Sequence, residues 1–204
     1  MRVLSRMWVA SVLVACGPAC AQPDVTITLT GQSMIRSDLR ATAPGAVSRI
    51  RSLLPGDIVF TNFEGTIAEP GQTVTGGGRG FLAPAETLDA LQAFGINLLS
   101  LSNNHAFDLK EAGIDNTLRE VERRGIVHAG IGATLADAAA PAYLYVGKTT
   151  IALVASASGL IAAGGAARAD GGVNELPDVH NQYTSNEFLQ TRGLPSPTEG
   201  AQAR

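Results

Sequence analysis

Leu98-Leu99-Ser100-Leu101-Ser102-Asn103-Asn104-His105-Ala106-Phe107-Asp108 is the stretch on which the fold turns. An apolar run ends abruptly in two asparagines and a histidine, and a helical pattern begins directly after it. A run without alternation suits a strand buried on both faces, as in a parallel sheet. Asp108 stands where a helix N-cap belongs, with Glu111 at the capping-box position. Asn103, Asn104 and His105 are therefore expected at the carboxyl end of a strand, ahead of a helix N-terminus. Open α/β sheets hold their ligands at that edge.

The same alternation of strand and helix extends on both sides. Upstream, Val25 to Thr30 is β-branched and strictly alternating, a first strand that ends in Gly31-Gln32-Ser33. Val47, Ile50, Leu53 and Leu54 mark a short helix stopped by Pro55-Gly56, and Ile58-Val59-Phe60 is a second strand running into Thr61-Asn62-Phe63-Glu64. Pro84 suits the first turn of a helix whose apolar face is Leu88, Leu91 and Phe94, with Gly95 as its stop. Ile96 to Leu101 is the third strand.

Downstream, Ile114, Leu118 and Val121 stripe a helix closed by Gly125, and Ile126 to Ala129 is a short fourth strand. Leu135 to Ala139 is helical, and Ala142 to Val146 with Thr149 to Ala155 reads as a hairpin across Gly147-Lys148. The order β-α-β-α-β-α-β followed by two strands predicts an α/β layered sheet, at least partly parallel, over residues 24–158. Past Gly159 periodicity gives out, and 159–204 reads as an irregular or disordered tail. A sheet that stops there is expected to have an open side.

The chain has 204 residues, 45% of them hydrophobic, enough for one domain with a core of its own. A net charge of -3 without a basic cluster argues against a nucleic-acid partner. Residues 1–21 read as an address: Arg2 and Arg6, an apolar run from Met7 to Ala15 too short to span a bilayer, then a small-x-small site at Ala19-Cys20-Ala21. Leu13-Val14-Ala15-Cys16 also resembles a lipobox, which would place a lipid on Cys16. Either way the chain is expected to be exported, to the periplasm or cell envelope, and to touch membrane only through that signal or anchor. A chain cut after Ala21 keeps neither cysteine, so it has no disulfide and no thiolate zinc site.

Three strand ends now carry polar groups: Gln32; Asn62 and Glu64; and Asn103, Asn104 and His105. In a parallel sheet these ends lie side by side, so the groups converge on one rim. Glu64 is a hard oxygen ligand, Asn104 a neutral one, and His105 a nitrogen ligand or general acid. Such a mixture suits magnesium or a divalent first-row metal. It is half of a coordination shell.

Gly56-Asp57-Ile58-Val59-Phe60-Thr61-Asn62-Phe63-Glu64 and Ser102-Asn103-Asn104-His105-Ala106-Phe107-Asp108, with Gly130-Ile131-Gly132-Ala133 after Gly125-Ile126, resemble the CapA family linked to poly-γ-glutamate capsule synthesis. The resemblance covers roughly Val25 to Ser158. It implies a calcineurin-like metallophosphoesterase-type α/β/β/α sandwich, incomplete in this chain, with a divalent metal (Mn, Zn or Mg). Glu64 and Asn104 would be metal ligands, and His105 would contact the scissile group or donate a proton. Asp108 would either orient His105 or serve only as the helix cap. The implied partner is an anionic envelope polymer or a small phosphoester. Three readings of function follow: a metal-dependent hydrolase or transferase at a phosphoester or amide, a non-catalytic polymer-binding accessory, or an inactive fragment.

Two departures from the family pattern matter. Gly31-Gln32 stands where the family has Gly-Asp, and an amide is a poorer ligand for a hard cation. Asp38 is the nearest carboxylate that could substitute. Family members also continue well past this length with further histidines, whereas only His128 and His180 follow His105 here. His128 sits inside an expected strand and reads as a core residue. Gly147-Lys148-Thr149-Thr150 lacks the earlier glycine of a phosphate-binding loop, and Gly76 to Gly80 reads as a flexible loop.

Overall fold

The computed structural model describes residues 24–74, 80–158 and 171–175. The expected leader at 1–21, most of the glycine-rich loop and His180 lie outside the described residues. Strand β1 (Ile27–Ser33) leads to helices α1 (Leu39–Thr42) and α2 (Pro44–Leu53), then to β2 (Ile58–Phe63). Two short strands follow, β3 (Thr66–Ile67) and β4 (Leu82–Ala83), and then helix α3 (Glu86–Ala93) and strand β5 (Leu98–Ser100). The long helix α4 (Lys110–Arg123) returns the chain to β6 (Val127–Ala129) and β7 (Ile131–Gly132). Helix α5 (Leu135–Ala139), the hairpin β8 (Ala142–Val146) and β9 (Thr149–Leu153), and β10 (Gly172–Val173) complete it.

The central sheet has the order β1-β2-β5-β6, and every neighbouring pair is parallel. Chain order and spatial order agree because a helix-bearing crossover separates each pair, as parallel pairing requires. The protein is therefore of mixed α/β class with a parallel sheet. The central strands β2 and β5 are the most apolar: Ile58, Val59, Phe63, Leu98 and Leu99 are all buried. They pack with Leu88 and Leu91 of α3, Ile114 and Val121 of α4, and Phe107 in one core. Burying each Leu or Phe fully is worth roughly 1.5–3 kcal/mol.

Edge strand β1 lies open, with Leu29 73% exposed. It also carries a bulge. Leu29 pairs with Phe60 but Gln32 with Asn62, so three steps of β1 match two of β2. The strict alternation of Val25 to Thr30 gives no sign of this slip. Thr30 Oγ1 donates to Phe60 O at 2.9 Å, Thr61 Oγ1 donates to Gly31 O at 3.0 Å, and Ser33 Oγ lies 2.7 Å from Thr61 Oγ1. These bonds take up polar groups that the irregular ladder leaves, as is usual of bulges near strand ends and sites.

The helix expected from Pro84, the helix after Asp108 and the hairpin across Gly147-Lys148 all form, and Gly147 adopts φ +58°, the left-handed conformation that a tight hairpin turn favours. Three elements have no counterpart in the periodicity: α1, the parallel pair β3–β4, and the antiparallel pair β7–β10. Of these, β10 lies beyond residue 158, where the pattern gives out. Val173 is fully buried, and Asn174 donates its N–H to Gly130 O at 2.8 Å and its side-chain amide to Ala155 O at 2.7 Å. Residues 171–175 are thus an ordered part of the fold, not an irregular tail. Among the described residues no helix is long and apolar enough to cross a membrane.

Candidate functional site

The carboxyl ends of β1, β2 and β5 lie next to one another, which brings Gln32, Asn62, Glu64 and the Asn103–Asp108 turn to one rim. Asn103 ties the rim together. It is only 6% exposed, and its Nδ2 donates to Phe63 O at 2.8 Å and to Leu101 O at 3.2 Å. Its Oδ1 accepts the backbone N–H of His105 at 3.0 Å, an Asx turn that starts the loop. One asparagine therefore links the end of β2, the end of β5 and the backbone of His105. Asn62 Oδ1 lies 3.4 Å from the same Nδ2. Ser102 Oγ donates to Asn174 O at 2.9 Å and pins the turn's entry from the far side.

Asp108 does not cap the following helix. The cap position falls to Leu109, which makes no side-chain cap bond, and the capping box with Glu111 is not formed. The Asp108 carboxylate turns back instead: Oδ2 accepts the backbone N–H of Phe81 and lies 2.9 Å from His105 Nδ1. A carboxylate accepts, so Nδ1 carries the proton in this bond and Nε2 is the nitrogen left for chemistry. Tertiary partners have outcompeted the local cap. Lys110, two residues on, sits at φ +59°, a left-handed conformation that costs a non-glycine residue about 1–2 kcal/mol. Its Nζ lies 5.3 Å from the Phe107 ring centroid. Gly80, at φ +47°, packs so closely that a Cβ there would meet Val74 Cγ2 at 2.5 Å and Asp108 Oδ2 at 2.9 Å. Glycine is what lets the Phe81 N–H reach Asp108.

Glu64 is 6% exposed, and its Oε2 is buried without a hydrogen-bond partner. Leaving a carboxylate oxygen in that state is costly unless a proton or a cation meets it. Asn104 is exposed, His105 is 29% exposed at its side chain, and Gln32 is exposed on β1. Among the described residues no three His, Cys, Asp or Glu side chains gather into a metal-ligating group. The orphaned Glu64 oxygen, a neutral amide and an imidazole at one rim are donor types that suit a divalent cation, and together they would supply only part of a coordination shell.

Asp38 does not replace the missing carboxylate at position 32. It caps α1 by accepting the Arg40 N–H at 2.9 Å and pairs with the Arg40 guanidinium at 2.8 Å, and that bond to Arg40 holds its carboxyl below the usual range. His128 is half-buried, and its Nδ1 donates to Ile126 O at 2.8 Å. Sequence reasoning passed over Arg36 and Phe81. The Arg36 guanidinium lies 4.1 Å from the Phe81 ring centroid, and Phe81 in turn stands 5.9 Å from the His105 ring at 52°. Both residues come from loops, so no periodic signal marks them.

A parallel α/β sheet with a buried carboxylate and a carboxylate-held histidine at its carboxyl rim defines an α/β protein with a candidate site at its strand ends. Residues 26–192 match the family model described as bacterial capsule synthesis protein PGA_cap, and the chain belongs to that family. The CapA resemblance is thereby borne out. Two curated relatives, the uncharacterized proteins y4sH and y4uA of Sinorhizobium fredii (strain NBRC 101917 / NGR234), are each 30% identical over 121 residues. That match covers 56% of this chain and 26% of each relative, so the chain spans about a quarter of their length.

Proposed function

We propose that this protein serves capsule-polymer synthesis or anchoring at the bacterial envelope, as an exported protein, with or without a lipid on Cys16. In this reading the parallel sheet is one half of a calcineurin-like α/β/β/α sandwich, and the rim is a metal-dependent hydrolase or transferase site for a phosphoester or amide. The observation that carries it is the buried, unpartnered Oε2 of Glu64, one asparagine away from the Asp108-held His105. Glu64 and Asn104 would hold a divalent metal (Mn, Zn or Mg), which when bound polarises a phosphoryl or acyl oxygen and supplies activated water. Asp108 holds the His105 ring by Nδ1, and His105 Nε2 would take a proton from the attacking water and then give it to the leaving group. Asn103 fixes the backbone of His105 relative to Glu64.

Exposed Gln32 favours a second reading, in which the same rim binds an anionic envelope polymer without turnover. The discriminating experiment is thermal unfolding of the chain in EDTA and then in excess manganese. A metal at about 100 times its dissociation constant raises native stability by about 2.7 kcal/mol. That rise should vanish in Glu64→Gln, and p-nitrophenyl phosphate turnover in manganese should vanish in His105→Ala. In EDTA alone, Glu64→Gln should melt no lower than the parent, because an amide loses less than a carboxylate on burial. A melt indifferent to manganese would overturn the metal site, and a metal shift without turnover would leave the binding reading.

A further inference from the structure

Arg36 leaves β1 three residues after its end at Ser33 and lies over the Phe81 ring, with 4.1 Å from guanidinium carbon to centroid. Its Nη2 donates to Gly80 O at 2.9 Å. Beyond the ring stands the His105 imidazole, and the Phe81 N–H and His105 Nδ1 share one oxygen of Asp108. Arg36, Phe81, His105 and Asp108 thus form one continuous stack built from the exits of β1 and β5 and the loop before β4. Stacking on one face and a carbonyl on one edge fix the plane of a side chain that is otherwise among the most mobile.

Arg40, Arg119, Arg123 and Arg124 all meet an Asp or Glu, whereas among the described residues Arg36, like Arg49 and Arg51 of α2, forms no ion pair, and it is exposed. The carboxylates that could neutralise it are absent or engaged: position 32 is a glutamine, Asp38 pairs with Arg40, and Asp108 faces His105. One of five guanidinium N–H groups is taken by Gly80, which leaves donors in a fixed plane on the Phe81 ring, itself a neighbour of His105. That fork matches an oxyanion.

We propose that Arg36 binds an oxyanion of the substrate, a carboxylate or phosphate oxygen, and orients it toward His105. The proposal rests on the rim being the functional site, but not on metal or turnover. The two oxyanions share one chemistry here, and they are separable by titration.

The test is NMR titration of the full chain in EDTA with inorganic phosphate and, separately, with glutarate, following Arg36 Nε–H and the His105 ring. Saturable shifts in both groups with either probe are expected, and the tighter probe identifies the source of the oxyanion. Arg36→Met, which keeps an apolar stem on Phe81, should weaken binding about tenfold or more, and Arg36→Lys by less. No saturable shift with either anion, or equal affinity in Arg36→Met, would overturn the assignment. Because no metal is present, loss of the manganese effect described above leaves this result untouched, and the two readings fail separately.

Discussion

His105 Nδ1 and Asp108 Oδ2 stand 2.9 Å apart, three residues apart in sequence, and the same oxygen receives the Phe81 N–H from 27 residues upstream. A local turn and a distant loop are thereby locked to one atom. That sharing explains why Asp108 is not available to the helix it precedes.

Asp108→Asn should therefore disturb the histidine more than the fold. An asparagine oxygen can still accept from Phe81 or from His105, but it no longer stabilises one imidazole tautomer over the other. Two-dimensional long-range nitrogen NMR should report Nδ1–H dominance in the parent and a mixture in the variant, with stability down by about 0.5–1.5 kcal/mol. An unchanged tautomer would show that Asp108 does not hold the ring.

Asn103→Leu should be among the most damaging substitutions at the rim. It removes the donor to Phe63 O and Leu101 O and the acceptor for the His105 N–H, all at a 6% exposed position. Each buried group left without a partner costs about 1–3 kcal/mol. Urea unfolding should show a loss of at least that size. Asn103→Asp should be no better, since a carboxylate cannot donate to either carbonyl.

Far from the rim, Arg124 of the α4 C-terminus is 5% exposed at its side chain and binds Asp89 of α3 at 2.6 Å, with Glu120 as a second partner. Its hydrogen bond to Asp89 holds that carboxyl below its ordinary value of 3.8, and its bond to Glu120 lowers that one from 4.5. A lowered native pKa means stability that is fully present above the unfolded value and is lost as pH falls through the native value. Asp89→Asn should thus cost about 1–3 kcal/mol at pH 7, and the gap from the parent should narrow below about pH 4. Guanidinium unfolding at both pH values measures it. A gap independent of pH would assign the effect to packing.

Much of this architecture was legible because its cues are local. The unbroken apolar runs at Ile58 and Leu98, the stripe of Ile114 and Val121, and Gly95 and Gly125 after α3 and α4 are local signals that tertiary context did not override. The rim residues were legible for the same reason: strand ends in a parallel sheet must be neighbours. What escaped was decided at long range. Thr66–Ile67 and Leu82–Ala83 are too short to carry a period, and Ile67 N–H bonds to Thr117 Oγ1, 50 residues away. Gly172–Val173 is a strand only because Ile131–Gly132 offers an edge. Asp108 looked like a cap because its competing partners come from another loop, and the Arg36–Phe81 stack joins residues that no spacing connects.

The extra residue between Leu29 and Gln32 has a further meaning for how this edge could change. A strand assigns its side chains to alternate faces, so one inserted residue acts like a shift of frame: everything after it is turned over. Gln32, Ser33 and, beyond them, the approach to Arg36 take their facing from that shift, while Ile27 and Leu29 keep theirs. Deleting a single residue at Thr30 or Gly31 would close the bulge and restore plain alternation, with Gln32 still opposite Asn62 and on the face it now has, because paired residues share a face. What would change is the local bend and twist of the edge, not which side chains reach the rim.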